Sequence, residues 1–346
     1  MRISVILVCL VAVSLVRADI GPTPGSEAIA PVFAAADLVC NCFVKSVAVV
    51  EERIDVAGKP AVRRYITATT EIRDSFKTDG IEDHVVLLRY VREEQHGMRI
   101  AGARQAILEG QTALMFLTRT GPGIYSFADP FLGATAFQSL PQQLGGAGLL
   151  KLQHVLAAVA AASDRTDRIR ALRLLQGFDR FDQESLSRVS ALSNSADPEV
   201  ALPALGVLLK TKTSESVVSL RNYLDAYAGD GEPIALVSVG TELGEINDEK
   251  ALPAIEALSH SRYLSIRFGA MDAMRRMKNP KSAVTLIARL DDADATVQYL
   301  AVITLAETFG KSEPDFAPTM NLFDEKPQYY VQVWKSWWNQ NGGSVQ

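Results

Sequence analysis

Between residues 37 and 140 the apolar and polar positions of the chain alternate with a period of two. Tyr65, Thr67, Thr69, Glu71 and Arg73 interleave with Ile66, Ala68, Thr70 and Ile72, so one side of the segment is drier than the other, as a half-buried strand requires. The stretches "DLVCNCFVKSVAVVEER", "AVRRYITATTEIRDSFK", "DHVVLLRYVREE", "RQAILEGQTALMFLTRTG" and "GIYSFADP" are all rich in Val, Ile, Thr and aromatics. They are punctuated by the turn signals "AGKP", "TDGIED", "EEQHG" and "TGPG". Five or so antiparallel strands with one dry face must bury it or close upon themselves. A small barrel or sandwich over 37–140 is the predicted outcome.

After Gly145 the period changes to that of a helix, and the pattern repeats. Ile169, Val200, Ile234, Ile266 and Val297 head five similar segments at spacings of 31, 34, 32 and 31 residues. Two positions on stand Ala171, Leu202, Leu236, Phe268 and Tyr299; five positions on stand Leu174, Leu205, Val239, Met271 and Val302. Helices that are dry on more than one side need neighbours on both sides, which predicts a stacked solenoid of about five helix pairs over 148–312. Asp197 before Pro198 and Glu199 has the chemistry of a helix start, and Asp167, Gly231–Pro233 and Asp294 hold similar places. The third repeat departs from the pattern, because "YAGDGEP" lengthens its turn and "VSVGTELG" lowers its helix propensity. In the closing segment, 313–346, Tyr330, Val331, Trp334, Trp337 and Trp338 fall at helical spacings before Gly342. This predicts an aromatic helix that covers the last apolar face, with a stacking surface for a sugar or peptide as the sharper alternative.

The paired-helix period over about Gly148–Lys311 resembles the HEAT-repeat family, in its subtype with short helix pairs. The hairpin "LEGQTALMFLTRTGPGIYSF" is similar to the closing hairpin of small secreted barrels of the oligonucleotide/oligosaccharide-binding-like and netrin-like kinds. The resemblances imply a multidomain α and β chain: an antiparallel β domain followed by an α-α superhelix that holds a protein or peptide partner. Some HEAT-like proteins act as lyases on tetrapyrrole–protein substrates, and netrin-like inhibitors chelate a protease metal through an N-terminal cysteine amine. A barrel-centred enzyme or metalloprotease-inhibitor-like module, with the solenoid as docking platform, is therefore the alternative to a non-enzymatic scaffold.

The N-terminus adds a compartment. Met1, Arg2 and the apolar run Ile3–Val16, followed by Val16-Arg17-Ala18, read as a signal peptide of residues 1–18 cleaved after Ala18. Its apolar run falls short of the ~20 residues a membrane helix needs. "DIGPTPGSEAIAP" then suggests a flexible leader over 19–36, and "GGAG" (Gly145–Gly148) closes a hinge at 141–147. The expected location is secreted or periplasmic, a bacterial envelope above all, since only two cysteines would remain.

Charge and chemistry narrow the partner. Loss of Arg2 and Arg17 takes the net charge from −5 to −7, with 33 basic against 40 acidic residues, and no basic stripe interleaved with aromatics occurs. No nucleic-acid partner is expected. Arg165, Arg168, Arg170 and Arg173 form a basic patch suited to an acidic partner or to the β domain, and with Trp334, Trp337 and Trp338 they make the candidate interaction surface. His84, His96, His154 and His260 are scattered, with no HExxH, no G-x-S-x-G and no phosphate loop. Asp291, Asp292 and Asp294 lack the glycine and distal glutamate of an EF-hand loop and read as capping groups. No catalytic residue, metal or cofactor is assigned. Cys40 and Cys42 remain a candidate disulfide or thiol pair. On a flat strand their Cα atoms would be about 6.6 Å apart with parallel Cβ vectors, so a bridge needs a bulge.

Overall fold

The computed structural model describes residues 28–81, 84–95, 98–102, 106–138, 140–141, 148–162 and 164–342. The signal segment with its cleavage site after Ala18, the first half of the leader, most of the hinge, and His96 lie outside them. The chain divides into two compact units at Val189/Ser190.

In the first unit, β1 (Leu38–Val56), β2 (Lys59–Lys77), β3 (Val85–Gln95), β5 (Thr112–Gly121) and β6 (Ile124–Phe127) are hydrogen-bonded in the order β1-β2-β3-β6-β5. β5 then pairs back to β1, with Leu38 opposite Leu117 and Phe43 opposite Thr112, so the ring closes. All of its pairs are antiparallel except β3/β6. Two short strands that the alternation did not reveal complete the sheet: β4 (Met98–Gly102) beside β3 and β7 (Ala134–Phe137) beside β5. Even-numbered positions of β2 and β3 fill the ring, including Ile66, Ala68, Leu88 and Tyr90, with Met115 and Leu117 from β5 and Tyr125 from β6. β1 and β2 meet at Ala57-Gly58, whose φ values of 54° and 77° are those of a primed hairpin turn. The Asp55 side chain accepts from the Gly58 amide at 2.7 Å.

Part of the expected leader is ordered. Residues Ile29–Ala35 form α1, with Pro31 in the first turn, where a missing amide breaks no helical bond. Ile29 is fully buried and its amide donates to the Gly177 carbonyl at 2.8 Å. Lys77 of β2 places its Nζ against the carbonyls of Ala34 (2.8 Å) and Ala36 (2.5 Å), satisfying the end of the helix.

The first helix pair, α2 (Gly148–Ala162) and α3 (Arg165–Leu175), packs on the barrel instead of standing apart from it, and α4 (Gln183–Ser190) follows. Lys151 of α2 is 8% exposed and donates to Asp74 Oδ1 at 2.7 Å and to the Ser75 carbonyl at 3.1 Å. From α3, the fully buried Asp167 accepts the Gln138 amide at 2.7 Å, while Arg170 donates to the Ala136 carbonyl at 2.9 Å. The expected capping role of Asp167 is thus filled by Asp164, which accepts the amides of Thr166 and Asp167. Both are aspartates three positions apart, and the outer one meets the helix start.

In the second unit, α5 (Pro198–Leu209), α7 (Ala235–Gly244), α9 (Leu264–Met277) and α11 (Ala295–Phe309) are second helices of successive pairs. The first helices of the pairs that end in α7, α9 and α11 are α6 (Ser214–Ala226), α8 (Leu252–Leu258) and α10 (Ala283–Arg289), the last two opening with a 3-10 turn. The predicted starts at Asp197 and Asp294 carry side-chain caps to Glu199 and to Thr296 and Val297. Val200, Ile266 and Val297 are buried as the alignment predicts, but Ile234 is 81% exposed. The long turn delays α7 to Ala235, so Ile234 precedes the first helical turn while Leu236 and Val239 keep their buried places. α12 (Met320–Glu325) and the aromatic α13 (Pro327–Asn341) close the array. No helix among the described residues is long and apolar enough to cross a membrane.

The tightest contact in the array joins α7 to α9. A Cβ added to Gly240 would lie 2.3 Å from the Ser265 carbonyl oxygen, and one on Gly269 would lie 2.2 Å from that of Gly240. Both obstacles are backbone, so they yield only if the helices separate. Gly240→Ala and Gly269→Ala should each destabilise the unit by about 1–3 kcal/mol. Thermal unfolding checks this, with a fall of several degrees expected for either variant and almost none for the exposed Thr241→Ala.

Candidate interaction surface

The second helices turn a mixed face to solvent. On α7 and at its threshold, Ile234, Val237 and Thr241 are exposed at helical spacing, Ile234 and Val237 by 81% and 50%. Phe268 of α9 and Tyr299 of α11 are half-buried, and Tyr299 packs on Phe323 at 5.5 Å. At the C-terminal ends of the same helices runs a ladder of ion pairs that links one repeat to the next. Lys210 Nζ lies 3.1 Å from Glu242, and Glu245 takes Arg276 with Lys212 at 3.9 Å. Further along, Glu307 accepts from Arg275 Nε at 2.7 Å and lies 3.4 Å from Lys278. Cations at helix C-termini also complement the negative end of the helix dipole.

The predicted site residues divide sharply by burial. Trp334 is fully buried, its Nε1 donating to the Phe316 carbonyl at 3.0 Å, so it is core and no part of a surface. Trp337 and Trp338 are half-buried. Trp337 lines a shallow groove of ≈ 400 Å³ with Phe316, Tyr329 and Val333, edged by Gln332 and Gln340. Gly342 lies beneath the Trp338 ring, where an added Cβ would meet it at 2.7 Å.

The basic patch is largely used within its own unit. Arg168 donates to the Ala160 carbonyl at 3.0 Å and Arg170 to the Ala136 carbonyl of β7. Arg165 and Arg173 are exposed. The aspartates of "RLDDADAT" are also structural. Asp292 is 7% exposed between Arg267 and Arg289, Asp294 caps α11, and Asp291 pairs with Lys335 at 2.6 Å.

Cys40 and Cys42 are bridged and fully buried on the barrel side of β1. Register shifts on either side of Asn41 bend the strand and bring the Cα atoms to 5.7 Å, which is the bulge a bridge needs. Inside a barrel strand the pair cannot present an amine or a thiolate to a metal, which removes the structural basis of the netrin-like inhibitor reading.

His84 is exposed in a bend, and its carbonyl accepts the Ile72 amide at 2.8 Å. His260 Nδ1 lies 3.0 Å from Arg289; burial, then the Arg289 charge, hold its pKa below the usual imidazole value, so the neutral ring accepts the bond. A cluster missed in the sequence joins His154, Asp182 and Glu184, whose ligand atoms lie within 4.8 Å of one another. Separation along the chain hid it, since His154 lies in α2 and the carboxylates at the start of α4. Chemically the three could hold a divalent cation, yet each carboxylate has another task. Asp182 caps α4 through Glu184 and Ser185, and Glu184 pairs with Arg188 at 2.8 Å. Burial raises the Asp182 pKa, but its bonds from Ser185 and the nearby His154 outweigh that and hold it below the usual carboxylate value.

These features define a helical-repeat protein with a β domain at its N-terminal side. Residues 224–306, from the end of α6 into α11, match the family model of HEAT repeats. The matched stretch is part of a longer helical array, and HEAT repeats typically mediate protein interactions. No curated protein sequence matches the chain.

Two measurements separate scaffold from surface. Burial disfavours the Glu307 charge, but Arg275 and Lys278 outweigh this and depress its pKa. Its ion pairs therefore stabilise the fold above the unfolded carboxylate pKa of about 4.3, and that contribution fades as pH falls through the lower folded value. Glu307→Gln should lose about 0.5–1 kcal/mol at pH 7, and the difference from wild type in thermal melts should shrink toward pH 3. Trp334→Ala should lose about 3–5 kcal/mol, whereas Trp337→Ala should melt within a few degrees of wild type.

Proposed function

We propose that the protein is an exported, non-enzymatic scaffold that holds a protein or peptide partner on the outer face of its HEAT repeats. The observation that carries this reading is the exposed apolar row of α7, Ile234 and Val237, beside an inter-repeat ion-pair ladder. A ladder of paired charges holds the helices at fixed spacing, and apolar side chains left in water beside it favour contact with another chain. The shallow groove at Phe316, Tyr329 and Trp337 extends the same kind of surface at the array's end, and the β domain supplies a second contact. Export is supported by the charged start, short apolar run and small residue at position 18.

Crosslinking and affinity capture of the mature protein from the envelope of its own cells tests the reading. A specific partner should be recovered with wild type and lost with Ile234→Lys/Val237→Asp, both exposed positions whose change should leave the melting temperature intact. Edman sequencing of the exported chain should begin at Asp19. A chain that retains residues 1–18, or a partner equally well held by the double variant, overturns the corresponding half of the proposal.

A further inference from the structure

We infer that two copies of this chain pair antiparallel through the free edge of β1, about a twofold axis at Glu52. The first half of β1 has neighbours on both sides, since Leu38–Phe43 pair with β5 as well as β2. A register shift between Val44 and Ser46 ends that arrangement, and Ser46–Val56 pair with β2 alone among the described residues. Every second residue of this eleven-residue stretch therefore points its amide and carbonyl away from the sheet. Such an edge is a template for another strand unless charge, proline or a covering segment blunts it.

The charges on this edge are mostly neutralised inside the sheet. Glu51 pairs with Arg64 at 2.7 Å, Glu52 accepts from the Tyr65 hydroxyl at 2.9 Å with Arg63 at 3.8 Å, and Asp55 takes the Gly58 amide. Arg53 is exposed and has no such partner among the described residues. On the outer face, Val50 stands opposite Tyr65 and Tyr65 opposite Val91, at exposures of 66%, 43% and 37%. An apolar row thus crosses three strands and stops, uncovered, at the edge.

A second copy is the occupant that completes this pattern. In a continuous antiparallel sheet, opposite residues share a face, so the axis must fall on a residue. With the axis at Glu52, Glu51 meets Arg53 of the second copy, Val50 meets Ile54 and Ala48 meets Val56. The unpartnered guanidinium gains a carboxylate twice over, and the apolar row continues from Val91, Tyr65 and Val50 into Ile54 and Ala61 of the second copy. Moving the axis to Glu51 sets Val50 against Glu52 and Val49 against Arg53. Moving it to Val50 sets Val49 against Glu51 and Val47 against Arg53. An axis nearer the turn shortens the overlap. The chosen register has two unfavourable pairs, Val49 against Asp55 and, at the axis itself, Glu52 against Glu52, since like charges directly opposite repel.

The flaw at the axis supplies the test. Light scattering and sedimentation of the mature chain should show a dimer by about 100 µM, the weak range that a single pair of strands supports. Glu52→Gln should tighten it several-fold, while Val49→Pro, at an amide that points away from β2, and Val50→Lys should give monomers of unchanged melting temperature. Under mild oxidation, Glu52→Cys should crosslink to itself across the axis, and Ser46→Cys, which faces Gly58 of the second copy, should not. A chain monomeric at that concentration overturns the inference. So does a dimer indifferent to Val49→Pro and Val50→Lys, or equal crosslinking at the two positions.

Discussion

The second unit depends on one constraint: helix α5 has no wet side. Ten consecutive residues, Val200–Leu209, are buried, so the helix has no amphipathic solution and must be enclosed. The same demand passes along the array in weaker form. α7 approaches α9 until Gly240 and Gly269 touch backbone to backbone, and α11 is closed by α12 and α13 with Trp334 as the innermost ring. The helix ends cannot be apolar as well, because their last carbonyls need donors and water. There the basic and acidic side chains of adjoining repeats pair with each other, with the cations in excess.

The joint between the barrel and the first helix pair follows a different rule. It is polar and dry. Lys151 and Asp74 form an ion pair with little exposure, and both Asn41 and Asp74 leave an oxygen without a hydrogen-bond partner among the described residues. Desolvation makes such an arrangement a poor source of stability, yet it permits few alternative dockings, because any shift leaves a lysine or a carboxylate unpaired. Asp167 and Arg170 act in the same way at β7. Specific orientation of α2 and α3 on the barrel is the effect of this chemistry.

Periodicity carries most of the architecture on the surface of the sequence. Strands β1, β2, β3 and β5 and the five helix pairs were legible because each buries one regular set of positions. The four-residue β6 was legible from Ile124, Tyr125 and Phe127 after the turn signal "TGPG", but β4 and β7, as short, have no such aromatic cluster, and α1 was hidden by the prolines around it. Local chemistry was legible where the partner is adjacent: Asp197 and Asp294 cap the helices they precede. It failed where the partner is distant. Asp167 and Asp164 are equivalent to any reader of the sequence, and only the Gln138 amide, 29 residues away, distinguishes them. The spacing of Trp334 and Trp337 likewise says that they share a helix face, and their depth is set by Phe309 and Phe316. Of the interaction surface, the aromatic end was visible in the sequence. Ile234 was visible too, but as a core residue, because the pattern could not register a helix that starts one turn late.

Closure of the barrel through β1 and β5 also sets an order of events in time. Leu38 and Leu117 must find one another across most of the barrel sequence, and the Asp37 side chain receives the Arg119 amide from 82 positions away. Contacts between neighbouring repeats, such as Arg275 with Glu307, span 32. Loop closure grows costlier with separation, and folding slows as contacts become less local. The helical repeats can therefore assemble while the barrel is still searching for its last strand pair, and the rate at which the whole chain matures is the rate at which that ring shuts.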